Sequence, residues 1–407
     1  MSTNVNAKMN YDIGEPLHNL RIAAAQHPAN GMISEAFKNS FAELESEHVE
    51  IRKKLNALPL REGDLEERLY KEMQTFERWR FDLMGALWNI VADFDDEQKK
   101  AHQDYIRSTR YFKIVQEAPF YWRIINKPNG YAGDAYMMHY IYRNKFEGGT
   151  PFGKFLHKHA CSTKACIAVR NRRQFLKEQI LEKTGGKILS LAAGPAEEIR
   201  EILEDGTVGK GYHFLALDHD IETVQRFNAS NPHARFKYCL ANAFQIIAGN
   251  YRIARPRNMM AKFCIPGSDF KGWRILMSAL KYELTNLAYN EYDLVYSAGL
   301  FDYIKTFPLE DSKGSVALTR RLFELVKPGG SLIIGNFSYN NPPDLKFVME
   351  YIYGWHLIYR GRDDMMRFAR AIPENQIARM AVLEEESGIN YFLKIDKAMG
   401  QVPPPRI

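Results

Sequence analysis

Hydrophobic residues in the first third of the chain recur every three or four positions among charged ones, which is the spacing of amphipathic helices. The pattern predicts one helix over Ser34–Asn56 and a longer one over about Leu65–Val91. The aromatic-rich segment Tyr111–Ile125 is also predicted to be helical, whereas Asp93–Asp104 is predicted to be a charged joint. The first third of the chain is therefore predicted to be an all-helical module.

The pattern changes near Lys187, where short hydrophobic runs begin to alternate with helical segments. Strands that alternate with helices are typical of βαβ units in a parallel sheet. Five runs are predicted to be strands: Ile188–Leu191, Phe214–Leu217, Arg235–Cys239, Leu294–Tyr296 and Ser331–Gly335. The sequence thus predicts an α/β fold, in which a doubly wound, mostly parallel, Rossmann-like sheet follows the N-terminal helical module.

The predicted boundaries divide the chain into four parts. Residues 1–33 form a flexible tail, 34–125 the helical module, 126–186 a linking or lid region, and 187–398 the core. A long stretch at 249–290 interrupts the core, and connections of this length are usually functional or flexible. Its basic and hydrophobic residues would suit a lipid carboxylate, an acyl carrier or a membrane surface, but a solvated helical insertion is the favoured interpretation.

The composition is that of an ordinary soluble globular protein, with 45% hydrophobic and 26% charged residues in a chain of 407. A net charge of +6 permits an acidic substrate but does not indicate nucleic-acid binding. The four cysteines contain no C-x-x-C pair, so no metal site is expected, and their sparse use favours a reducing compartment. No secretory signal or integral membrane segment is expected, and the expected location is cytoplasmic.

Small and acidic residues follow the first two predicted strands, at the edge where doubly wound sheets bind ligands. The loop Ala193–Ala196 contains a glycine that would let a ligand approach the backbone, although a plain strand-to-helix turn explains it equally well. A G-x-G-x-x-G loop is absent there, which disfavours a nicotinamide or flavin enzyme. Asp218 follows the second strand, where a carboxylate can bind ribose hydroxyls, and Asp220 is the better candidate to cap the next helix.

Similar candidates follow the later strands. Asn242 comes after the third strand, where its amide would either bond an adenine edge or form a turn. The small residues Ser297–Gly299 follow the fourth strand and leave room for a ligand. Lys327–Gly330 is predicted to end a helix and to form a turn before the fifth strand.

These five segments, in this order, resemble class I S-adenosylmethionine-dependent methyltransferases. Three longer stretches, Lys127–Met138, Tyr292–Ile304 and Ile334–Arg360, resemble one bacterial subfamily more specifically. It is the family named for biosynthesis of the extracellular factor 3-hydroxypalmitic acid methyl ester, a quorum signal. The resemblance covers roughly residues 118–395 and leaves the helical first third without a match.

The resemblance implies S-adenosyl-L-methionine as the cofactor, bound at the edge that these loops form. The implied contacts are Tyr131 and Asp134 over the cofactor or acceptor, Ala193, Gly194 and Ala196 at the methionine part, Asp218 at the ribose, His219 beside the adenine, Asn242 and Ala243 at the adenine edge, and Ser297 and Ala298 at the sulfonium. The acceptor is expected to be a small molecule, because the family methylates the carboxyl group of a hydroxy fatty acid.

Polar and aromatic residues near the last strand form the candidate acceptor pocket. Tyr303 and His356 are the candidate catalytic residues, and Asn336, Trp355 and Tyr359 are the candidate substrate contacts. A carboxylate acceptor needs no general base, whereas a phenol or an amine could use His356, for which a structural role is nevertheless favoured. Two alternatives stay open. One is N- or O-methylation of another metabolite, and the other is a cofactor-binding regulator whose helical module is a dimerisation or partner surface.

Overall fold

The computed structural model describes residues 33–58, 62–206, 211–230, 233–256 and 282–400. The chain separates into two compact units. The helical unit holds the chain up to Arg170 together with 340–357, and the sheet unit holds 171–339 and the chain from Ile358 onward. The predicted linking region 126–186 is divided between the two units after Arg170, and the predicted tail lies almost wholly outside the described residues.

The helical unit consists of amphipathic helices whose hydrophobic faces are buried. Its described helices are α1 (Glu35–Asn56), α2 (Glu62–Val91), α3 (Asp96–Ser108), α4 (Arg110–Ile114), α5 (Pro119–Asn126), α6 (Ala135–Arg143), α7 (Pro151–Ser162) and the later α13 (Pro343–Phe347), which continues into a π-helical turn over Val348–Ile352. The structure thus confirms the two long helices predicted at the start of the chain. Aromatic pairs fill the interior: the Phe37 ring stacks on Phe41 at 5.6 Å, and Phe41 meets Tyr111 edge-on at 5.4 Å.

The predicted joint at Asp93–Asp104 is wrong, because most of it belongs to α3. Asp95 caps this helix by accepting a hydrogen bond from the backbone N–H of Gln98, and the Gln98 side chain accepts one from the backbone N–H of Asp95. This reciprocal capping box starts the helix in a segment whose charges suggested a loop. The buried face of α3 carries Ala101, His102 and Ile106.

The sheet unit is built on nine described strands in the order β5-β4-β3-β2-β1-β6-β7-β9-β8. The strands are β1 (Gly186–Leu191), β2 (Tyr212–Asp218), β3 (Phe236–Leu240), β4 (Arg252–Pro256), β5 (Tyr282–Asn286), β6 (Tyr292–Ser297), β7 (Val326–Phe337), β8 (Ile377–Glu384) and β9 (Asn390–Lys397). The helices are α8 (Lys164–Leu181), which begins in the helical unit, α9 (Glu197–Glu204), α10 (Ile221–Ser230), α11 (Ala243–Ile247), α12 (Gly314–Leu325) and α14 (Arg362–Arg367).

The five central strands, β3, β2, β1, β6 and β7, are parallel and are the five that the sequence predicts. The chain builds β1, β2 and β3 toward one edge and then returns to add β6 and β7 on the other side of β1. Neighbouring residues of β1 contribute to opposite faces, because Ile188 and Leu189 belong to different hydrophobic clusters. The doubly wound, mostly parallel sheet is therefore confirmed, and its topological switch point lies between β1 and β6.

Two local expectations in the sheet unit need correction. Lys327–Gly330 is part of β7 rather than a turn, and a bulge beside Tyr292 accommodates it. The described flanks of the 249–290 stretch, Arg252–Pro256 and Tyr282–Asn286, pair as antiparallel strands, although a helical insertion was favoured. Residues 257–281, with most of its basic and hydrophobic side chains, lie outside the described residues. In the part of the chain that the structure describes, no helix is long and apolar enough to cross a bilayer.

Candidate active site

The loop after β1 has an unusual backbone. Ala192, Gly194 and Ala196 all adopt left-handed conformations, with φ of 55°, 54° and 47°. This conformation costs an alanine about 1–2 kcal/mol, so surrounding bonds must hold the loop in place. One such bond joins the backbone N–H of Ala193 to the carbonyl of Leu217 at 3.0 Å. Backbone strain of this kind concentrates at functional sites.

Asp218 links this loop to the end of β2. One of its carboxylate oxygens, Oδ2, accepts a hydrogen bond from the Gly194 N–H at 2.9 Å, and Oδ1 accepts one from the Asp220 N–H at 3.1 Å. Burial raises the pKa of Asp218, but the bonds from His219, Asp220 and Gly194 outweigh burial and hold it below its usual value. The carboxylate is therefore ionised. Its Oδ2 keeps a second lone pair that can accept a further hydrogen bond, whereas Oδ1 also contacts His219.

The two residues that follow Asp218 have different tasks. The exposed His219 places Nδ1 3.2 Å from Oδ1 of Asp218, and this contact raises the pKa of the imidazole. Asp220 caps α10, because its carboxylate accepts bonds from the Glu222 N–H at 3.0 Å and from the Thr223 hydroxyl at 2.7 Å. Capping by Asp220 leaves Asp218 as the carboxylate that faces the loop after β1.

The end of β3 joins the same edge of the sheet. Asn242 caps α11 by accepting a bond from the Phe244 N–H at 2.8 Å, and Ala243 is the first residue of that helix. The Tyr238 hydroxyl donates to the carbonyl of Gly194, and the Ala241 N–H donates to the carbonyl of Asp218 at 2.8 Å. The structure thus brings together seven predicted cofactor residues after β1, β2 and β3: Ala193, Gly194, Ala196, Asp218, His219, Asn242 and Ala243.

Ser297 and Ala298 close this edge on the other side of β1. Ser297 ends β6, and its fully buried hydroxyl has no hydrogen-bond partner among the described residues. The carbonyl of Ala298 accepts a bond from the Arg172 guanidinium of α8 at 2.9 Å. Buried polar atoms in native proteins are almost always paired, so the Ser297 hydroxyl marks a place where a ligand or an ordered water completes the structure.

Two buried charged residues near this edge were not predicted. Glu198 lies in the first turn of α9 and accepts a bond from the Tyr296 hydroxyl of β6 at 2.6 Å. Burial raises the pKa of Glu198 in spite of this bond. Acidic residues at a helix N-terminus are common for electrostatic reasons, so the sequence held no signal that Glu198 is buried. Arg172 likewise sits among the ordinary charges of a long helix.

The sheet unit also holds three of the candidate acceptor residues. Asn336 is fully buried, and its amide nitrogen donates to the carbonyls of Phe337 and Ile358, each at 2.8 Å. Its amide oxygen accepts a bond from the buried Arg360. Both ends of Asn336 are therefore engaged within the unit. The other two acceptor candidates in this unit, Tyr303 and Tyr359, are half-buried.

Asp302 precedes Tyr303 and is a buried carboxyl group that the sequence did not single out. Its Oδ1 accepts a bond from the Phe337 N–H at 2.6 Å, which ties it to the end of β7. Burial raises the pKa of Asp302 to about 6, against the opposing effects of that bond, Arg172 and Arg360. Asp302 is therefore a titratable group at the carboxyl end of the sheet.

The remaining four candidates, Tyr131, Asp134, Trp355 and His356, belong to the helical unit. They are not part of the group that the sheet unit assembles. Asp134 is fully buried, caps α6 through the Met137 N–H, and pairs with Arg123 at 2.5–2.9 Å. His356 is exposed, and desolvation of its ring followed by the charge of Lys127 lowers its pKa. Its imidazole is therefore largely neutral at pH 7.

Comparison with known proteins gives similarity to solved structures alone, since no protein-family model and no curated protein matches the sequence. One similar structure is a possible exported protein from Bordetella parapertussis, at 15% identity over 83% of this chain and 96% of that chain, with a TM-score of 0.45. The S-adenosylmethionine-dependent methyltransferase SibL in its apo form is similar at 11% identity over 74% of each chain, with a TM-score of 0.37. The CMeT domain of the citrinin polyketide synthase is similar at 13% identity over 90% of this chain and 91% of that domain, with a TM-score of 0.39. At such low similarity the strand order of this chain, rather than these neighbours, carries the description of the fold.

Proposed function

We propose that this protein is an S-adenosylmethionine-dependent methyltransferase that acts on a small molecule. The observation that carries the proposal is the convergence of the left-handed loop Ala192–Ala196 and the ionised carboxylate of Asp218 at the switch point of the sheet. Ligands of doubly wound sheets bind at this point. S-adenosylmethionine has a methionine part, a ribose diol and an adenine ring. We propose that the loop after β1 binds the first, Asp218 the second, and Asn242 with His219 the third.

The residues of the edge fit the cofactor in three respects. A Cβ built on Gly194 would meet nothing within 4 Å, so there is open space beside the loop after β1. Oδ2 of Asp218 has a lone pair for one ribose hydroxyl, and Oδ1 would accept the other in exchange for its contact with the exposed His219. The Ser297 hydroxyl is a buried polar atom still without a described partner. When bound, the cofactor supplies a methyl group on a sulfonium, which an acceptor atom displaces in line.

The task of the protein in such a reaction is to position the acceptor and to exclude water. We propose carboxyl O-methylation of a hydroxy fatty acid, which is supported by the resemblance of Lys127–Met138, Tyr292–Ile304 and Ile334–Arg360 to one methyltransferase subfamily. A carboxylate is already an anion at neutral pH, so neither Tyr303 nor His356 has to remove a proton. The bonds of Asn336 support a positioning role at the end of β7 rather than direct acceptor contact.

Labelled methyl transfer tests the acceptor class. The intact protein is incubated with methyl-labelled S-adenosylmethionine and a panel of hydroxy fatty acids, phenols and amines. A carboxyl methyl ester releases its label as methanol in mild alkali, whereas an N-methyl amine or a phenol ether does not. Alkali-labile label on a fatty acid is the expected result. Alkali-stable label would favour methylation of another metabolite, and cofactor binding without transfer to any acceptor would favour a regulatory protein.

The base requirement gives a second test of the same proposal. Tyr303→Phe and His356→Ala are expected to change turnover of a carboxylate acceptor by less than about tenfold, since general-base catalysis contributes about 10²–10⁴-fold where it is used. A loss in that larger range, with unchanged cofactor affinity, would show base-assisted transfer instead. The cytoplasmic location and a homodimer formed through the helical module remain parts of the proposal, and sedimentation of the purified protein measures the oligomeric state.

A further inference from the structure

Arg172 is a buried cation at the carboxyl edge of the sheet that lacks a counter-charge. It lies on α8 within the sheet unit and is only 8% exposed. Its Nη1 atom donates to the carbonyl of Ala298 at 2.9 Å, which is a neutral acceptor. Within the part of the chain that the structure describes, Arg172 forms no ion pair. Buried charges in native proteins are usually paired, so this guanidinium is an exception that calls for a partner.

One edge of the Arg172 guanidinium is free. Its Nε and Nη2 atoms have no hydrogen bond to the described residues, and neither atom is sealed from solvent. These two nitrogens form one edge of the planar group. The same edge of Arg123 binds both oxygens of a carboxylate elsewhere in this protein: Nε donates to Oδ1 of Asp134 at 2.8 Å, and Nη2 donates to Oδ2 at 2.5 Å. The free edge of Arg172 therefore has the shape and the donors for a carboxylate.

The small residues after β6 give this guanidinium its place. A Cβ built on Gly299 would lie 3.3 Å from Nη1 and 3.6 Å from Nη2 of Arg172, so a larger residue there would press on the group. Two residues earlier, the fully buried Ser297 hydroxyl is the polar atom still without a described partner. The guanidinium thus lies against the segment after β6, which follows the strand next to β1 in the sheet.

Two buried acids near Arg172 do not occupy its free edge. Burial raises the pKa values of Glu198 and Asp302, and the charge of Arg172 opposes this rise, but neither acid forms an ion pair with it among the described residues. Glu198 accepts its bond from the Tyr296 hydroxyl at 2.6 Å. Asp302 accepts its bond from the Phe337 N–H, also at 2.6 Å. Both acids are therefore held by other donors, and the partner for the free edge has to come from a ligand.

We propose that Arg172 binds the carboxylate group of a ligand through its Nε–Nη2 edge. The proposal rests on the proposed function, which offers two sources of a carboxylate: the methionine part of S-adenosylmethionine and the carboxyl group of an acceptor. The methionine carboxylate takes no part in methyl transfer, so a bond to Arg172 would orient it without slowing the reaction. A guanidinium would instead make an acceptor carboxylate less nucleophilic. The methionine carboxylate is therefore the expected ligand.

Calorimetric titration of the full chain with two ligands tests this assignment. S-adenosylhomocysteine carries the amino-acid carboxylate, whereas 5′-methylthioadenosine keeps the adenine, ribose and sulfur but lacks that carboxylate. Arg172→Lys keeps a positive charge and replaces the planar edge with a single ammonium group. It should weaken binding of S-adenosylhomocysteine by about tenfold or more and leave the dissociation constant of 5′-methylthioadenosine unchanged.

Two further variants connect the result to the guanidinium. The matched control is Arg173→Lys on the same helix, because Arg173 is already paired with Glu201 at 2.9 Å, and it should leave the affinity for both ligands unchanged. Gly299→Ala keeps Arg172 and displaces its guanidinium, so it should also weaken S-adenosylhomocysteine alone. This variant decides the question if Arg172→Lys does not fold.

The remaining outcomes separate the source of the carboxylate from failure of the proposal. Unchanged binding of both ligands to Arg172→Lys, with a rise of about tenfold in KM for a carboxylate acceptor and none for a phenol or amine, would identify the acceptor as the source. Equal weakening of both ligands would overturn the proposal, because it would show that Arg172 only supports the fold. Unchanged binding and unchanged KM would overturn it as well. Wild-type protein that binds neither ligand would instead refute the proposed function, and this assignment with it.

Discussion

Substitution of Asp218 by asparagine probes the candidate cofactor site with the least change in size. The wild-type carboxylate accepts hydrogen bonds from the N–H groups of Gly194 and Asp220, at 2.9 and 3.1 Å, and its Oδ1 also lies 3.2 Å from Nδ1 of His219. The lone pair left on Oδ2, and the one on Oδ1 that now faces the exposed His219, are those proposed to accept the ribose hydroxyls. Asparagine has one oxygen and one NH2 group, so one of the two backbone N–H groups would face another donor, and one ribose acceptor would be lost along with the charge.

The size of the effect follows from these bonds. A hydrogen bond to a charged group contributes about 1.5–3 kcal/mol, and the two ribose bonds would replace a bond to water on Oδ2 and the His219 contact on Oδ1. A net loss of about 3 kcal/mol corresponds to about 100-fold weaker binding of the cofactor. The assay is calorimetric titration of wild-type protein and Asp218→Asn with S-adenosylhomocysteine at one fixed salt concentration.

A cap variant in the same turn separates ligand binding from loop stability. Asp220→Ala removes the cap of α10 and should lower the free energy of unfolding by about 1 kcal/mol, with little effect on the dissociation constant. Equal affinities of Asp218→Asn and wild type would refute the assignment of Asp218 to the ribose. Equal losses of affinity in both variants would show that Asp218 acts by holding the loop.

Two further predictions concern stability. Tyr296→Phe removes the hydroxyl that donates to the buried Glu198 at 2.6 Å, so the free energy of unfolding in urea should fall by about 1–3 kcal/mol, and an unchanged value would contradict that bond. His48 has a folded pKa of about 3, because burial outweighs its bond to the Leu44 carbonyl, whereas the unfolded value is 6.5. The neutral His48 therefore contributes fully to folding stability above pH 6.5, and this contribution is lost as the pH falls toward 3. Between these pH values the unfolded state binds about one more proton than the folded state at this residue. His48→Leu removes that difference and should make the free energy of unfolding depend less steeply on pH. The free energy of unfolding is measured by urea titration at several pH values, and an equal pH dependence in wild type and His48→Leu would contradict the low folded pKa of His48.

The sheet could be predicted from the sequence where local pattern and burial agree. Each central strand is a short hydrophobic run, and Asp218 and Ser297 end their strands in the order that a doubly wound sheet requires. The pattern failed where local chemistry competed with it. The charges around Asp95 suggested a joint, but the same residue caps α3.

The candidate site could be predicted only in part, because several of its residues are defined by tertiary contacts. The bond that Glu198 accepts comes from Tyr296, 98 residues later in the chain, and the contact between Arg172 and the Ala298 carbonyl spans 126 residues. Likewise, nothing in the local sequence of residues 340–357 shows that this segment packs with the helical unit. The contact between its Asp344 and Arg80 of α2 is seen only in the structure. Spacing along the chain gives no information on such pairs.

The central claim is that S-adenosylmethionine binds at the carboxyl edge of the sheet, beside the loop after β1. Hydrogen exchange of the intact protein, followed by mass spectrometry with and without S-adenosylhomocysteine, tests both binding and location. The account predicts slower exchange in peptides that cover residues 189–197 and 212–220, because the ligand would contact the left-handed loop and Asp218. Unchanged exchange in both peptides at saturating ligand would contradict the claim, as would protection confined to other parts of the chain.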